Sequence, residues 1–295
     1  MLEFLVGVDG GGSGTRALLA RPDGAVIGAG QAGPSGLSRG IAPAWAAITT
    51  ATQRAFESAG LRPAAWSACA LGAGLAGASH QPWRDAFLVA DPGFARIALD
   101  SDSFTMLLGA HAGHPGVIVA AGTGSVGEVL RADGSRTSVG GWGFPIGDEG
   151  SGAWLGWRAV QHAQAAMEGR AATGALARHV WMTCGAARGE LLDWCRSAGQ
   201  FEYAQLAPAV FDAEASDATA AALLASAVVE LEALARALDP DGALPLAVSG
   251  SVGRRLAPRL APRFAPALRA RCVELAQGAD AGALTLIRRA LAASP

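Results

Sequence analysis

Hydrophobic positions near the start of the chain fall into short runs that glycine turns separate. Phe4 to Asp9 and Ala17 to Ala20 flank the cluster Gly10 to Gly14, and the turn Asp23-Gly24 precedes a third run from Ala25 to Gly30. Runs of this length between glycine turns are typical of strands. The pattern predicts that three consecutive antiparallel strands open the chain.

Helical and strand patterns alternate after this hairpin region. Trp45, Ile48 and Phe56 recur near helical spacing and predict a helix from Pro43 to Ala59. Strands are then expected at 67–71 and 96–99, with a helix at 83–89 between them. This alternation is typical of an α/β protein that has one parallel part and one hairpin part.

The middle of the chain repeats the opening in outline. Val117 to Ala121 and Val126 to Arg131 are apolar runs on either side of the glycine turn Gly122 to Ser125. Two related halves would each bring one phosphate-binding hairpin to a shared cleft. Farther along, we expect alanine-rich helices over 151–238, a strand at 244–248, a connection at 258–266 and a closing helix at 282–291.

Composition removes several classes of protein. The formal charge of -2 and a pI near 6.2 provide no basic surface for nucleic acid. The N-terminus lacks the pattern of a secretion signal, and the apolar stretch Ala218 to Val229 stops short of the roughly 20 residues that a membrane span needs. The four cysteines are far apart in sequence, which favours buried thiols in a reducing compartment. We expect a cytoplasmic protein without nucleic-acid or membrane partners.

Lysine is absent, since arginine accounts for all 23 basic residues. A P-loop, a lysine Schiff base and the ATP-binding lysine of protein kinases are therefore excluded. Backbone N–H groups, hydroxyls, arginine or a metal ion must hold any bound phosphate.

Both glycine turns carry groups that suit phosphate. Gly10 to Gly12 allow close backbone approach, and Ser13 and Thr15 add hydroxyls. Asp9 ends a buried strand, where an ionised carboxylate needs water, hydrogen bonds or a nearby metal, so a role linked to Mg²⁺ fits it. The turn Gly122 to Ser125 offers the same chemistry.

Two further segments carry carboxylates. Asp102 follows a predicted strand, where it could cap a helix or face the ligand crevice of an α/β sheet, and Asp100 or Ser101 could supply the cap instead. The segment Gly140 to Gly152 combines six glycines with a tryptophan, a phenylalanine and two acids. An aromatic platform beside a carboxylate suits the apolar faces and hydroxyls of a sugar.

Five motifs carry a resemblance to a known family. They are DGGGSGTR at 9–16, SDS at 101–103, AAGTGS at 120–125, GGWGFPIGDEGSGAWLG at 140–156 and SGSVG at 249–253. In this order they resemble the N-acetylglucosamine kinase and BadF/BadG/BcrA/BcrD ATPase family along essentially the whole chain. The GGWG…GDEGS block looks most like bacterial glucosamine and N-acetylglucosamine kinases.

The resemblance implies the actin/hexokinase/Hsp70 fold, which is a two-domain, ribonuclease H-like α/β architecture with mixed sheets. It implies an N-terminal domain at 1–113 and a C-terminal domain at 114–295, with a helical insertion at about 155–240 and a final helix packed on the first domain. It also implies ATP with Mg²⁺, an amino-sugar substrate phosphorylated at the 6-hydroxyl, and a homodimer.

The resemblance also implies roles for individual residues. Asp102 matches the catalytic base, and Asp9 the position linked to the metal. Residues matching the ATP-binding motifs are Gly10, Gly11, Gly12, Ser13, Thr15, Gly122, Thr123, Gly124, Gly250 and Ser251. Those at sugar-binding positions are Ser35, Asp102, Gly141, Trp142 and Asp148.

Two positions depart from the family pattern, and two other functions compete with a kinase. Gly14 stands where the family commonly has a lysine or another polar residue, for which Arg16 or the metal could compensate. Gly36 stands where the family often has an asparagine that contacts the sugar. An activator ATPase of a radical dehydratase would need closely spaced cysteines for a shared [4Fe-4S] cluster, which this sequence lacks. A sugar sensor without catalysis could have lost Asp9, Asp102 and Thr123, which are all present.

Overall fold

The computed structural model describes residues 1–263 and 272–293. Its contacts divide the chain into two units. The first comprises residues 1–116, 132–134 and those from 274 onward, and the second comprises the described residues of 117–131 and 135–273. The division between 113 and 114 that the resemblance implies stays a prediction about domains.

The sheet of the first unit contains the predicted opening hairpins. Its strands lie in the order β3-β2-β1-β4-β5, with antiparallel pairing among β1, β2 and β3 and parallel pairing of β1 with β4 and of β4 with β5. The prediction of three antiparallel opening strands is therefore confirmed. The strands are β1 (Phe4–Gly10), β2 (Thr15–Ala20), β3 (Val26–Ala32), β4 (Cys69–Leu75) and β5 (Arg96–Asp100).

Three helices follow the strands of this sheet, and a fourth ends the chain. Trp45 packs its ring on Phe87 at 4.1 Å and donates its indole N–H to the Phe87 carbonyl. This contact joins the first two helices through a buried aromatic pair. The helices are α1 (Ile41–Ser58), α2 (Gln81–Val89), α3 (Asp102–Ala110) and α11 (Ala279–Ala292), with 3₁₀ turns at Leu37–Arg39 and Trp66–Ala68.

Helix α11 packs directly on the backbone of two strands. A Cβ at Gly72 of β4 would lie 1.9 Å from the Ala283 carbonyl oxygen, and a Cβ at Gly7 of β1 would lie 2.3 Å from that of Asp280. Only glycine permits this separation. The close approach buries Ile287 and most of Leu284 against the sheet.

The second unit contains another mixed sheet. Its strands lie in the order β10-β9-β6-β7-β8, with β9 parallel to β6 and β10 and with β7 antiparallel to β8. They are β6 (Gly116–Ala121), β7 (Ser125–Leu130), β8 (Arg136–Gly140), β9 (Leu246–Ser249) and β10 (Cys272–Val273). The two five-stranded mixed sheets with their helices confirm the predicted α/β class with mixed sheets.

Seven described helices accompany this sheet, and most lie in the alanine-rich segment. The longest of them, Ala218–Leu238, has the length and composition of a membrane span, so the sequence-based expectation that this apolar stretch is too short is wrong. Seven of its residues, Leu224, Val228 and Leu231 among them, are buried in the core of the unit. The helices are α4 (Gly152–Met167), α5 (Ala175–Cys184), α6 (Arg188–Ser197), α7 (Gln200–Ala204), α8 (Ala207–Ala213), α9 (Ala218–Leu238) and α10 (Ser251–Arg263).

Two expectations from the sequence are wrong in part. The connection expected from Pro258 is helical up to Arg263, because α10 packs against β9 and α9 and this packing outweighs the cost of its prolines; residues 264–266 lie outside the described part. The thiols are not all buried. Burial raises the pKa of Cys69 and Cys184 to about 11, whereas Cys272 is exposed on the short edge strand β10.

The glycine contact of α11 yields a stability prediction. Gly72→Ala should lower the free energy of unfolding by about 1–3 kcal/mol, because the new methyl group meets backbone that cannot move aside cheaply. Urea unfolding followed by circular dichroism measures this loss. Gly33→Ala is the matched control, since its Cβ would meet nothing within 4 Å. Equal stability of both variants would contradict the close-packing argument.

Candidate active site

The glycine turn between β1 and β2 is fixed by backbone hydrogen bonds. Gly11 donates its N–H to the Gly14 carbonyl at 3.0 Å, and the Gly11 carbonyl accepts from the N–H groups of Ser35 and Gly36. A Cβ at Gly11 or Gly12 would meet nothing within 4 Å, so their backbone faces open space. An anion can therefore approach this backbone closely.

A cavity of about 430 Å³ lies beside this turn. Asp9, Ser13, Thr15 and Arg16 contribute to its lining. The structure thus brings together, within the first unit, the predicted metal-linked carboxylate and the hydroxyls of the first phosphate turn. Arg16 places a cation in this cavity, two residues after Gly14.

The Asp9 carboxylate is largely buried and ion-paired. Arg16 Nη2 lies 2.6 Å from Asp9 Oδ2. Burial raises the pKa of Asp9, and the hydrogen bond and charge of Arg16 only partly oppose this rise. An ionised Asp9 is therefore costly in this site, and a further cation would relieve the cost.

The residues of this cavity fit a magnesium ion held by one carboxylate together with water and phosphate oxygens. Among the described residues, no group of three or more His, Cys, Asp or Glu side chains forms a metal cage. Mg²⁺ in phosphoryl-transfer sites takes one or two carboxylates and fills its shell with water and phosphate oxygens. Asp9 beside a phosphate turn suits that mode of binding.

Asp102 begins helix α3 but does not cap it. The cap is Ser101, whose hydroxyl accepts a hydrogen bond from the Phe104 N–H at 3.1 Å. Asp102 is half-buried, and its Oδ1 accepts from the Ser103 N–H at 3.0 Å. Ser101 is therefore the cap among the three residues that the sequence offered. The Asp102 carboxylate lies in the first turn, where the helix dipole favours a negative charge.

Ser35 is buried beneath the first turn. Its Oγ lies 2.7 Å from the hydroxyl of Thr15, and a Cβ at Gly10 would lie 2.0 Å from the same Oγ. These contacts give Ser35 a part in holding the turn. A sugar-binding role for Ser35 stays a prediction.

In the second unit, the turn between β6 and β7 is joined to the start of α4. Gly122 donates to the Gly124 carbonyl at 2.9 Å, and the Gly122 and Thr123 carbonyls accept from the N–H groups of Gly152 and Ala153. The second phosphate turn and the end of the glycine-rich block therefore form one structure.

Asp148 is held directly by this turn. Its Oδ1 accepts from the Ser125 N–H at 3.0 Å, and its backbone has a φ of 64°. Burial raises the pKa of Asp148, and the charge of Glu149 adds to the rise. The hydrogen bonds from the Ser125 N–H and from Gln200 lower the pKa and partly oppose it. A buried carboxylate that retains acceptor capacity can receive hydrogen bonds from a polar ligand.

The aromatic residues of the glycine-rich block divide between two environments. Trp142 is 82% exposed, whereas the Phe144 ring packs on Tyr203 at 5.1 Å. Gly141, next to Trp142, has a φ of 69°, which favours glycine. The structure therefore leaves Trp142 available to a ligand and uses Phe144 in packing.

A second cavity, of about 190 Å³, lies beside the second turn. Thr123 and Ser251 line it together, so the second phosphate motif and the predicted adenosine motif meet within this unit. Gly250 has a φ of 83°, which favours glycine. A Cβ there would lie 2.2 Å from the Ala121 carbonyl oxygen, so the chain after β9 passes close to the end of β6.

Two residues of this cavity were not predicted from the sequence. Arg255 of α10 lies with its guanidinium carbon 3.9 Å from the ring centroid of Phe211 on α8, and both line the cavity. An aromatic ring beside an arginine suits a nucleobase and its phosphates. The position of Arg255, one helical turn after Ser251, could have indicated it, whereas nothing in the sequence marks Phe211.

Two mixed sheets, each with a glycine turn suited to phosphate, define an ATPase of the actin-like fold. The model of the BadF/BadG/BcrA/BcrD ATPase family matches residues 6–244. The chain belongs to this family, which confirms the resemblance found in the sequence.

Individual relatives agree with the family. Glucosamine kinase GspK of Vibrio cholerae is 32% identical over 256 residues, covering 86% of this chain and 87% of its own. The crystal structure of a candidate N-acetylglucosamine kinase from Chromobacterium violaceum is 44% identical, with a TM-score of 0.91 and coverage of 97% and 99% of the two chains. A candidate N-acetylglucosamine kinase from Porphyromonas gingivalis shares the fold at 19% identity, with a TM-score of 0.68 and coverage of 98% and 99%.

The raised pKa of Asp9 predicts a pH-dependent stability. Because its folded pKa lies above the usual 3.8, the ionised carboxylate opposes folding, and stability is lost as the pH rises through the folded pKa. Asp9→Asn should therefore raise the Tm near pH 7, and the gain should vanish below about pH 3.8. Thermal unfolding across this range measures the difference. Asp85→Asn, on the exposed face of α2, is the control, and a gain that does not depend on pH would refute the assignment.

Proposed function

We propose that this protein transfers the γ-phosphoryl group of ATP to an amino sugar, glucosamine or N-acetylglucosamine, at the 6-hydroxyl. The coarser assignment, an ATP-dependent sugar kinase, rests on the family and its relatives. The choice of an amino sugar rests on the glucosamine and N-acetylglucosamine kinase relatives. The structural observation that supports a sugar site is the bond from the Ser125 N–H to Asp148, because it fixes a carboxylate suited to sugar hydroxyls beside the second glycine turn.

Each unit is proposed to contribute its own glycine turn to phosphate binding, and the second unit also the adenosine surface. Thr123 and Ser251 offer hydroxyls in the second cavity, and Arg255 with Phe211 offers a charged and aromatic surface for the adenosine. In the first unit, the proposed phosphate donor is the Gly12 N–H, because the Gly11 N–H already bonds to the Gly14 carbonyl. Backbone and hydroxyl donors of this kind would replace the lysine that the sequence lacks.

Asp9 is proposed to hold Mg²⁺ through its carboxylate or through bound water. When bound there, Mg²⁺ would supply positive charge that stabilises the phosphate oxygens during transfer. Arg16 already pairs with Asp9, so the protein supplies a cation at this position before any metal binds. This arrangement limits the cost of the buried charge.

Asp102 is proposed as the base. Its carboxylate accepts the proton of the sugar hydroxyl while the hydroxyl oxygen bonds to the γ-phosphorus and the bond from that phosphorus to the bridging oxygen of ADP breaks. Ser101 fixes the start of α3, and so fixes the backbone that carries Asp102. Asp148, Trp142, Gly141 and Ser35 are the proposed sugar-binding residues.

The proposal extends to where and how the protein works. We place it in the cytoplasm, because ATP, the proposed phosphoryl donor, is abundant there. We also propose a homodimer, on family resemblance.

The first experiment measures ADP release with Mg-ATP in the presence of single sugars. Glucosamine or N-acetylglucosamine should stimulate release more than glucose or N-acetylmannosamine, and a blank without sugar gives the background. The position of the phosphate on the product is then read by phosphorus–proton NMR. Release that is equal with and without each of these sugars would contradict the proposal.

Replacing the base tests the mechanism. Asp102→Asn should lower kcat by about 10²–10⁴-fold while leaving sugar binding largely intact, since the amide cannot accept the proton. Steady-state kinetics and calorimetric sugar binding measure the two effects. Asp100→Asn, which removes a neighbouring carboxylate that bonds to the Ser101 N–H, is the matched control. Near-normal turnover of Asp102→Asn would show that another group takes the proton.

A further inference from the structure

Both oxygens of the Asp148 carboxylate are held, and by different parts of the second unit. The Ser125 N–H of the phosphate turn donates to Oδ1 at 3.0 Å, and the side-chain amide of Gln200 donates from Nε2 to Oδ2 at 2.6 Å. Gln200 begins helix α7, and 52 residues separate it from Asp148 in sequence. The long-range bond ties the helical insertion to the glycine-rich block.

Helix α7 is itself fixed in place. A Cβ at Gly156 of α4 would lie 1.8 Å from the Tyr203 carbonyl oxygen, so the two helices touch through backbone. The Tyr203 ring lies between Phe144 and Trp194, each with a centroid distance of 5.1 Å. The Glu202 carboxylate accepts from the Gly199 N–H at the start of the helix. Gln200 therefore extends from a well-packed support.

Two donors fix a carboxylate more completely than one. With the Ser125 bond alone, Oδ2 could rotate about the Cβ–Cγ bond and lose its direction. The Gln200 amide removes this freedom, and hydrogen bonds to a charged acceptor are about twice as strong as neutral ones. The acceptor positions that remain on Asp148 then point in a defined direction.

We propose that Gln200 is a positioning residue that orients the Asp148 carboxylate to receive the hydrogen bonds of the amino sugar. This inference rests on the proposed function, in which Asp148 binds the sugar. It assigns to the helical insertion a direct part in sugar recognition.

Electrostatics supports the geometry. Burial raises the pKa of Asp148 and the adjacent Glu149 adds to the rise, whereas the donors Ser125 and Gln200 lower it. Glu202, two residues after Gln200, accepts a hydrogen bond from the N–H of Gly199. Without the Gln200 donor, Asp148 would take up a proton at higher pH and lose acceptor capacity.

Removing the amide is the first test. Gln200→Leu should raise the KM for the sugar about tenfold or more, leave the KM for ATP unchanged and move the acidic limb of kcat/KM to higher pH. Gln161→Leu is the matched control, because it replaces an exposed glutamine of α4 and should change neither constant. An unchanged sugar KM in Gln200→Leu would overturn the proposal.

A charge substitution separates positioning from simple packing. In Gln200→Glu, two carboxylates face each other at neutral pH and repel, but at lower pH they share one proton and the donor to Asp148 is restored. Relative to the wild type, the kcat/KM of Gln200→Glu should therefore rise as the pH falls, while that of Gln200→Leu falls. Parallel pH profiles for the two variants would refute a positioning role.

A readout without sugar distinguishes failure of this inference from failure of the proposed function. If the wild-type protein phosphorylates no sugar, the proposed function fails by itself, and thermal unfolding still tests the Gln200 bond. The folded pKa of Asp148 lies above its usual value, so its ionisation costs stability as the pH rises, and losing Gln200 increases that cost. The Tm difference between wild type and Gln200→Leu should be larger at pH 7 than at pH 4. A difference that is equal at both pH values would overturn the inference.

Discussion

The burial of a carboxylate beside a glycine turn is the constraint on which the candidate site in each unit depends. Asp9 and Asp148 each lie next to a turn suited to phosphate, and burial raises the pKa of both. An ionised acid in such a place needs donors or a cation. Arg16 meets this need at Asp9, and the N–H of Ser125 together with Gln200 meets it at Asp148.

Glycine has two separate uses in this protein. At the phosphate turns, Gly11 and Gly12 leave the backbone open to solvent, so that an anion can reach it. At Gly72 and Gly156, glycine lets a helix touch the backbone of a neighbouring element. The first use suits the approach of an anion, and the second lets α11 pack on β4 and α7 pack on α4.

The helical insertion contributes more than a cover for the sheet. Helix α7 extends Gln200 to Asp148, and helix α8 places Phe211 under Arg255 of α10. Each contact joins residues that lie far apart in sequence but within one unit. The insertion thus contributes side chains, Gln200 and Phe211, that lie beside the second glycine turn or the carboxylate bonded to it.

From the sequence alone, the three antiparallel opening strands and the two glycine turns could be predicted, because each depends on local turn geometry or on a short motif. Only the tertiary structure showed that Ser101 and not Asp100 or Asp102 caps α3, because three adjacent residues offered the same local chemistry. It also showed that the segment from Pro258 is helical up to Arg263 and that Gln200 meets Asp148. The last two outcomes depend on packing between distant segments, which outweighs local propensity and leaves no periodic pattern in the chain.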